Sequence, residues 1–189
     1  MPTRTGEARD WYRGMAKNVN TDANRFMREA RSDNRNKNQS RMVTTPKPGG
    51  MYMYFYDPKT KEQLPFYDRF PMIFYIAPAP KGFYGINLHY LPPQLRARLM
   101  DGLYDLVNNT RYDESTKIRA SYELLKQASN LRYFKPTLKR YLNSHVRSKF
   151  IYVYPEEWDI ALFLPTEKFA KAHKSAVWAD SKRQIGIRK

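Results

Sequence analysis

Three short runs of apolar and aromatic residues dominate the middle of the chain and predict β-strands. They cover residues 51–57, 70–77 and 83–90, and they are rich in the β-branched and aromatic side chains that strands favour. Proline, glycine and aspartate occupy the intervals between the runs, as turns require. Because the runs are almost continuously apolar, we expect the sheet to be buried on both faces or to line a small barrel.

Apolar residues at helical spacing follow this region and predict three helices, the second capped by Asp113. A further strand is predicted over 150–154 and a short helix over 156–164, while 7–31 is only loosely periodic and gives a weaker helix prediction. In chain order, the three helical stripes cover residues 93–108, 113–129 and 136–147.

These elements predict an α+β fold, in which a small, strongly bent antiparallel sheet or an SH3-like partial barrel packs against a cluster of helices. The sheet is expected from 51–90 and 149–154, with the helices of 93–147 beside it. Residues 32–50 are polar, end in proline and glycine, and predict an extended linker. The chain is therefore expected to divide into a basic N-terminal arm and linker, a globular core and a basic, fraying C-terminal tail. The three parts are 1–50, 51–167 and 168–189.

Composition adds a strong charge bias to this picture. The 189 residues include 34 Lys and Arg against 18 Asp and Glu, a formal net charge of +16. Such an excess favours polyanionic partners, nucleic acid first, with membrane surfaces and acidic proteins behind it; the competing interpretation is a solvated surface without a partner. There is no cysteine, which excludes disulfides and thiolate chemistry. No apolar run reaches the roughly 18 residues of a membrane span, and no secretory signal is expected at the N-terminus.

An acid-free stretch between residues 132 and 149 is the strongest candidate for a binding site. If 136–147 is helical, Lys135, Lys139 and Arg147 recur on one face at multiples of four, with apolar side chains opposite. Such a face can follow the phosphate backbone of double-stranded DNA, and without a base-reading motif the binding should be independent of sequence. The alternative is an ordinary solvated helix face. The candidate nucleic-acid-binding residues are Arg132, Lys135, Lys139, Arg140, Arg147 and Lys149.

The residue patterns for catalysis are weak. The three histidines fall on different elements without metal-ligand spacing, and His89 is expected to be a satisfied core residue. A metal-dependent nuclease would need clustered acids, but Asp57, Glu123 and Glu157 each have a structural explanation. Phosphate-binding loops, dinucleotide fingerprints and nucleophile elbows are missing. We therefore expect no enzyme activity, no cofactor, no metal and no small-molecule substrate.

The many aromatic residues of the middle zone have two interpretations. They can stack single-stranded bases, as in OB-folds, or they can pack a core or a protein interface. Residues 51–95 hold only four basic and three acidic side chains, and a stacking platform normally lies in a positive groove. Core packing or a protein interface is therefore the favoured interpretation.

Five motifs resemble the DNA end protector family among the virion proteins of T-even-like tailed phages. They span about half of the chain and leave the first 50 residues uncovered. The resemblance implies a non-enzymatic protein of the virion, present in the host cytoplasm during assembly, that lies at the DNA end near the head–tail junction and shields it from exonuclease. It assigns no binding residues. The motifs are YFYDPK (54–59), LPFYDRFP (64–71), GINLHYLPP (85–93), SHVRSKF (144–150) and WDIALFLPTEKF (158–169).

Two other functions remain open from the sequence. The main alternative is a structural adaptor of the phage neck, tail or baseplate, whose basic surface binds acidic neighbouring virion proteins. A nuclease of head maturation is the third reading, and the lack of a clear metal triad argues against it. The salt dependence of DNA binding distinguishes DNA end protection from the adaptor function.

Overall fold

The computed structural model describes residues 41–107, 109–129 and 132–186. Its strands are β1 (Met42–Val43), β2 (Met51–Met53), β3 (Tyr67–Asp68), β4 (Met72–Ala79), β5 (Gly82–Asn87), β6 (Leu138–Leu142), β7 (Phe150–Val153) and β8 (Phe169–Ala170). Six of them form an antiparallel sheet in the order β1-β7-β2-β4-β5-β6, and β3 pairs with β8 in a second, two-stranded sheet.

Four α-helices and four short 3₁₀ helices complete the described fold. Asp113 caps α2 as predicted, since its Oδ1 accepts a hydrogen bond from the Thr116 N–H at 2.8 Å. No helix of the described residues is both long and apolar enough to cross a membrane. The α-helices are α1 (Pro93–Val107), α2 (Glu114–Ser129), α3 (Trp158–Ala161) and α4 (Lys174–Ile185), and the 3₁₀ helices are Leu88–Tyr90, Arg132–Thr137, Asn143–His145 and Pro155–Glu157.

Alternation along the strands divides the buried residues between the two faces of the sheet. Met51 and Met53 of β2 belong to the larger core, which also contains apolar residues of α1, α2 and α3. Tyr52 between them belongs to a second cluster on the opposite face, here called the aromatic core. The buried members of the aromatic core are Tyr52, Tyr54, Tyr56, Ile73, Tyr75, Phe83, Tyr141 and Phe150.

The α+β prediction is confirmed, with a mixed content of helices and strands around an antiparallel sheet. The predicted strands and the first two helices correspond to β2, β4, β5, β7, α1 and α2. In the described part of the chain β1 and β6 lie at opposite ends of the sheet order, so the sheet is open and does not support the SH3-like barrel. The prediction of a helix at 7–31 lies outside the described residues.

The helix predicted over 136–147 is wrong, because this segment contains β6 between two 3₁₀ turns. Leu138 to Leu142 pair with five residues of β5. Pro136 lies in the preceding 3₁₀ helix and lacks the N–H that an α-helix needs. The apolar residues of the segment are compatible with both helical spacing and the alternation of a strand. Hydrogen-bonded pairing with β5 therefore determines that the segment forms a strand. The predicted cluster of three helices is therefore a pair, α1 and α2, with a strand in place of the third.

Both ends of the predicted core extend further than the sequence suggested. Arg41 is only 2% exposed, and its two Nη atoms donate to the Glu157 carboxylate at 2.5 and 2.9 Å. Because β1 is an edge strand of the sheet, the residues from Arg41 onward belong to the folded core and not to the extended linker predicted over 32–50. The tail expected to fray from Lys168 instead contains β8 and α4, where Val177 is fully buried and Trp178 Nε1 donates to the His89 carbonyl at 2.8 Å.

Candidate nucleic-acid interface

The six cations predicted from the sequence lie on three different pieces of backbone. The first two precede β6 on a 3₁₀ helix, the middle two lie within β6, and the last two lie in the segment before β7. Because β6 is a strand, Lys139 and Arg140 have opposite orientations across the sheet. The continuous basic helix face is therefore wrong as a structure. The structure leaves Lys139 with Arg140, and Arg147 with Lys149, beside two separate depressions.

The first depression, here called the acid-free groove, has a volume of about 820 Å³. Its charged lining residues are Lys81, Arg147 and Lys149, and all three are exposed and basic. Lys81 was not among the cations predicted to bind, because it lies in the charge-poor zone of residues 51–95 and its sequence context indicated only a turn between two strands. The groove is lined by Thr44, Thr45, Pro46, Tyr75, Pro78, Ala79, Lys81, Gly82, Phe83, Asn143, Val146, Arg147, Ser148, Lys149 and Phe150.

Backbone hydrogen bonds hold the two sides of the acid-free groove in place. The β4–β5 turn presents Lys81, whose carbonyl accepts from the Asn143 N–H at 3.0 Å. The Arg147 N–H donates to the Phe55 carbonyl at 2.8 Å, and the Ser148 hydroxyl accepts from the Phe55 N–H at 2.9 Å. The cations are thus carried on fixed backbone, while their long side chains remain free to adjust to a ligand.

One carboxylate lies beside the acid-free groove, but it already has a stronger partner. Asp57 Oδ1 is 3.0 Å from Lys61 Nζ, and this hydrogen bond is the main cause that holds the pKa of Asp57 below its ordinary value. Arg147 Nη2 is 3.6 Å from the other carboxylate oxygen, and its side chain is 52% exposed. An exposed ion pair of this length contributes little, so Arg147 is available to a phosphate.

Rings of the aromatic core form the floor of the acid-free groove. Tyr75 stacks on Phe83 with ring centroids 5.3 Å apart, and Phe83 contacts Phe150 at 5.8 Å. All three are buried, and their packing confirms that these aromatic residues build a core. Because the ring faces are already occupied by one another, the groove offers charge to a backbone and little free surface to a base.

The second depression, here called the Lys139 pocket, has a volume of about 490 Å³. Lys139 Nζ lies 4.0 Å from the centroid of the Tyr90 ring, a cation–π distance. Burial lowers the pKa of Lys139 to about 8, although Asp180 opposes this shift. The pocket is lined by Tyr56, Pro58, Lys59, Thr60, Leu64, Pro65, Phe66, Tyr67, Asp68, Tyr90, Lys139, Arg140, Tyr141, Leu142, Asp180 and Gln184.

His89 is a buried core histidine, as the sequence predicted. Its Nδ1 lies 2.7 Å from Asp68 Oδ2 and its Nε2 lies 2.9 Å from the Thr166 hydroxyl. This order of acid, imidazole and hydroxyl is that of an acyl-transfer triad. However, His89 is 0% exposed, and neither it nor Thr166 lines either depression. The chain of contacts therefore joins the end of β3, the 3₁₀ helix after β5 and the segment before β8.

The acids considered for a nuclease are not brought together. Asp57 pairs with Lys61, Glu157 binds Arg41, and Glu123 is exposed on α2. Among residues 41–107, 109–129 and 132–186, no three His, Asp or Glu side chains are grouped as metal ligands. The side chains available for binding are instead cations.

Fold and site together define a basic α+β protein that presents an electropositive groove on one side of an antiparallel sheet. Comparison with protein families makes the assignment more specific: the chain belongs to the family described as Phage T4 terminal DNA protecting protein, which matches residues 7–182. The match extends through most of the first 50 residues, which the motifs of the sequence analysis did not cover. No curated protein and no solved structure matches the chain. The family places the chain among phage proteins that protect DNA ends.

Lys81 has an unusual backbone conformation that makes a matched pair of variants informative. Its φ of 58° lies in the left-handed region, where a Cβ is strained and glycine is not. Lys81→Ala and Lys81→Gly both remove the charge, but only the glycine variant removes the strain. We expect Lys81→Gly to unfold at the higher denaturant concentration, with a difference of about 1 kcal/mol. Equal midpoints, or a more stable alanine variant, would show that the turn stores no strain.

Proposed function

We propose that this protein binds the ends of double-stranded phage DNA without sequence preference, as a non-enzymatic protein of the virion, and shields them from exonuclease. Phosphates of the duplex lie along the acid-free groove, and Lys81, Arg147 and Lys149 neutralise them. The observation that carries the proposal is the charge of this groove, whose charged lining residues are all cations. Family membership supports the DNA end as the ligand.

Physical chemistry favours this function over a base-reading one. Phosphate contacts supply affinity without sequence information, and each neutralised phosphate releases counterions. Arg132, Lys135 and Arg140 are exposed and add positive charge outside the acid-free groove. The chain as a whole carries +16, which promotes association with a polyanion at long range.

Salt dependence of binding tests the groove directly. Replacing both Arg147 and Lys149 by glutamine is expected to weaken duplex binding and to reduce the slope of log K against log salt by about 2, from about 0.9 per phosphate contact. The matched control replaces Lys117 and Arg119 of α2, whose helix packs on the other face of the sheet. The control should keep the slope of the parent protein. Equal slopes for both double variants would place the DNA contact elsewhere.

Competition between linear and circular DNA tests whether the protein recognises the DNA end. A linear duplex is expected to compete better than a closed circle of equal length, and several unrelated sequences should compete equally. Equal competition by the circle would remove the end-binding part and leave general DNA binding. If the protein shows no measurable DNA binding at low salt, both parts fail, and an acidic protein surface in the neck, tail or baseplate becomes the favoured partner.

A further inference from the structure

Lys139 occupies an unusual position for a lysine. Its ammonium group lies over the Tyr90 ring inside a half-enclosed pocket. Its described interactions are this cation–π contact and a longer-range attraction to Asp180. Lys139 is half-buried, and a cation withdrawn from water normally finds an anionic or hydrogen-bonding partner, because desolvation is otherwise unfavourable. The Lys139 pocket therefore presents a cation in need of an anionic ligand.

The two acids in the Lys139 pocket are already occupied by other groups. Asp68 accepts hydrogen bonds from the Asn87 amide and the Phe70 N–H, both at 3.0 Å, and contacts His89. Burial alone would raise the pKa of Asp68, but these partners outweigh it and the net shift is downward.

Asp180 is also occupied, by two neighbours on its own helix. Its carboxylate oxygens accept from Arg183 Nη2 at 2.9 Å and from Gln184 Nε2 at 2.8 Å. With both acids satisfied, Lys59 and Lys139 are the charged groups of the pocket that remain open to a bound anion, since Arg140 Nη2 donates to the Pro80 carbonyl at 2.9 Å.

The remaining walls suit a flat, partly apolar group next to that anion. Five aromatic rings line the pocket, together with two leucines and two prolines. Stacking of a base on an aromatic side chain contributes about 1–3 kcal/mol. A volume of about 490 Å³ falls within the range of small-molecule sites and is sufficient for one nucleotide. The five rings belong to Tyr56, Phe66, Tyr67, Tyr90 and Tyr141; Phe66 and Tyr67 are half-buried and retain exposed ring surface for a base, whereas the other three are buried.

We propose that the Lys139 pocket holds the terminal phosphate of a DNA strand, with the terminal nucleotide against the aromatic wall. The proposal rests on the proposed function for the source of the phosphate, and it adds the feature that distinguishes an end from the interior of a duplex. The acid-free groove, at about 820 Å³, offers exposed cations that suit the phosphates of a duplex backbone, whereas the Lys139 pocket, at about 490 Å³, is smaller and suits a single terminal group.

Charge supports a terminal phosphate over an internal one. A phosphomonoester carries about −1.5 to −2 charges at neutral pH, whereas each internal phosphodiester carries one. A phosphomonoester dianion therefore offsets more of the free-energy cost of withdrawing the Lys139 ammonium group from water than a phosphodiester does. An internal phosphate would also have to bring two flanking sugars into the pocket, and a terminal phosphate brings one.

The same geometry predicts how binding depends on pH. Lys139 loses its proton as the pH rises through about 8, so the preference for a terminal phosphate should decline there. The other charged groups that line the pocket are Lys59, Arg140, Asp68 and Asp180. Tyr90 and Tyr141 have pKa values raised by burial and stay neutral.

Lysine acetylation tests the pocket without requiring duplex binding. Lys139 is acetylated at pH 8 in the presence of thymidine dinucleotides that carry a 5′-phosphate, a 3′-phosphate or no terminal phosphate, and the rate is read by mass spectrometry. A phosphorylated dinucleotide is expected to slow the reaction about tenfold relative to the unphosphorylated one, as one charged hydrogen bond would. Lys117 on α2 serves as the internal control and should react at the same rate throughout.

Duplexes with and without terminal phosphates give the second measurement. Lys139→Met should lose the preference for phosphorylated ends and keep the salt dependence supplied by the acid-free groove. Methionine is similar in length and removes a desolvated charge, so the variant is expected to fold with an undiminished thermal midpoint. Lys139→Arg keeps the charge and should retain part of the preference.

The outcomes separate this proposal from the proposed function. Protection of Lys139 by phosphorylated dinucleotides together with absent duplex binding would support the pocket and overturn the groove. Equal acetylation in all three dinucleotides, with duplex binding intact, would overturn the pocket and leave the groove. Protection by inorganic phosphate as strong as by the phosphorylated dinucleotides would overturn the contact between nucleotide and aromatic wall.

Discussion

Replacing Arg96 by leucine is expected to lower the free energy of unfolding by about 3–5 kcal/mol, because it leaves a buried carboxylate with only the longer contact to Lys174 Nζ, at 3.8 Å. Arg96 is fully buried, and its Nη2 donates to Glu167 Oε1 at 2.5 Å. Its other donors reach the carbonyls of Leu91 and Leu162, both at 2.8 Å. One guanidinium thus links α1 to the residue Leu91 before it, to Leu162 directly after α3 and to Glu167 before β8. Chemical denaturation measures the loss.

Two further variants show whether the loss comes from the unpaired charge. The double variant Arg96→Leu with Glu167→Leu should recover most of the stability, since removing both charges removes the desolvation problem. Arg98→Leu changes an exposed arginine of the same helix and should have a small effect. A double variant no more stable than the single one would show that the two carbonyl contacts of Arg96 matter more than its ion pair.

The pH dependence of the Arg96 variant has the opposite sign to that of the parent protein. Burial raises the pKa of Glu167, but Arg96 outweighs it and the net pKa lies below the ordinary value. In the parent protein this group therefore contributes stability above its unfolded pKa of about 4.3, and the contribution is lost as the pH falls through the folded value. Without Arg96, burial should dominate and raise the pKa of Glu167 above its ordinary value. The difference in free energy of unfolding between the Arg96→Leu variant and the parent protein should therefore shrink as the pH falls.

Gly82→Ala is expected to destabilise the protein by about 3 kcal/mol, the upper end of ordinary overpacking. A Cβ at this position would lie 1.8 Å from the Tyr141 carbonyl oxygen, so the backbones of β5 and β6 would have to separate. The displacement would also move the turn at Lys81 away from the segment before β7 and widen the acid-free groove. Thermal unfolding and duplex binding should therefore both be impaired.

Gly85→Ala in the same strand is the matched control. Its added Cβ would lie 2.7 Å from Ile73 Cδ1, the end of a flexible side chain, while its nearest backbone oxygen is 3.3 Å away. Rotation of Ile73 relieves the first contact, so we expect a smaller loss of stability than for Gly82→Ala. Equal losses would mean that β5 tolerates no side chain at either position, irrespective of the backbone contact.

The parts of the fold that the sequence predicted are those that local patterns determine. The strands β2, β4 and β5 are apolar runs bounded by turn residues, and α2 begins with a capping Asp113. The helix prediction for 136–147 was wrong because the apolar spacing of this segment is compatible with both a helix and a strand. Its pairing with β5, more than fifty residues earlier in the chain, decided the structure.

The residues of the proposed binding site could be predicted only in part, because their environment comes from distant segments. The acid-free stretch includes Arg147 and Lys149, which line the groove, but their neighbour Lys81 lies in a different charge zone. Lys139 was expected on a solvent-facing helix. Its burial depends on residues of α4, including Asp180 and Gln184, within the tail that the sequence predicted to fray. No one-dimensional pattern brings these segments together.

The position of β6 at the end of the sheet has a consequence for the protein in solution. Within the described chain it has a strand neighbour on one side only, and it carries Lys139 and Arg140 along that edge. Basic residues on an edge strand oppose pairing with the edge of another molecule. Phosphates that neutralise these cations also remove the repulsion between copies. Colloidal stability should therefore be lowest where added DNA just balances the protein's charge, and an excess of either component should restore it.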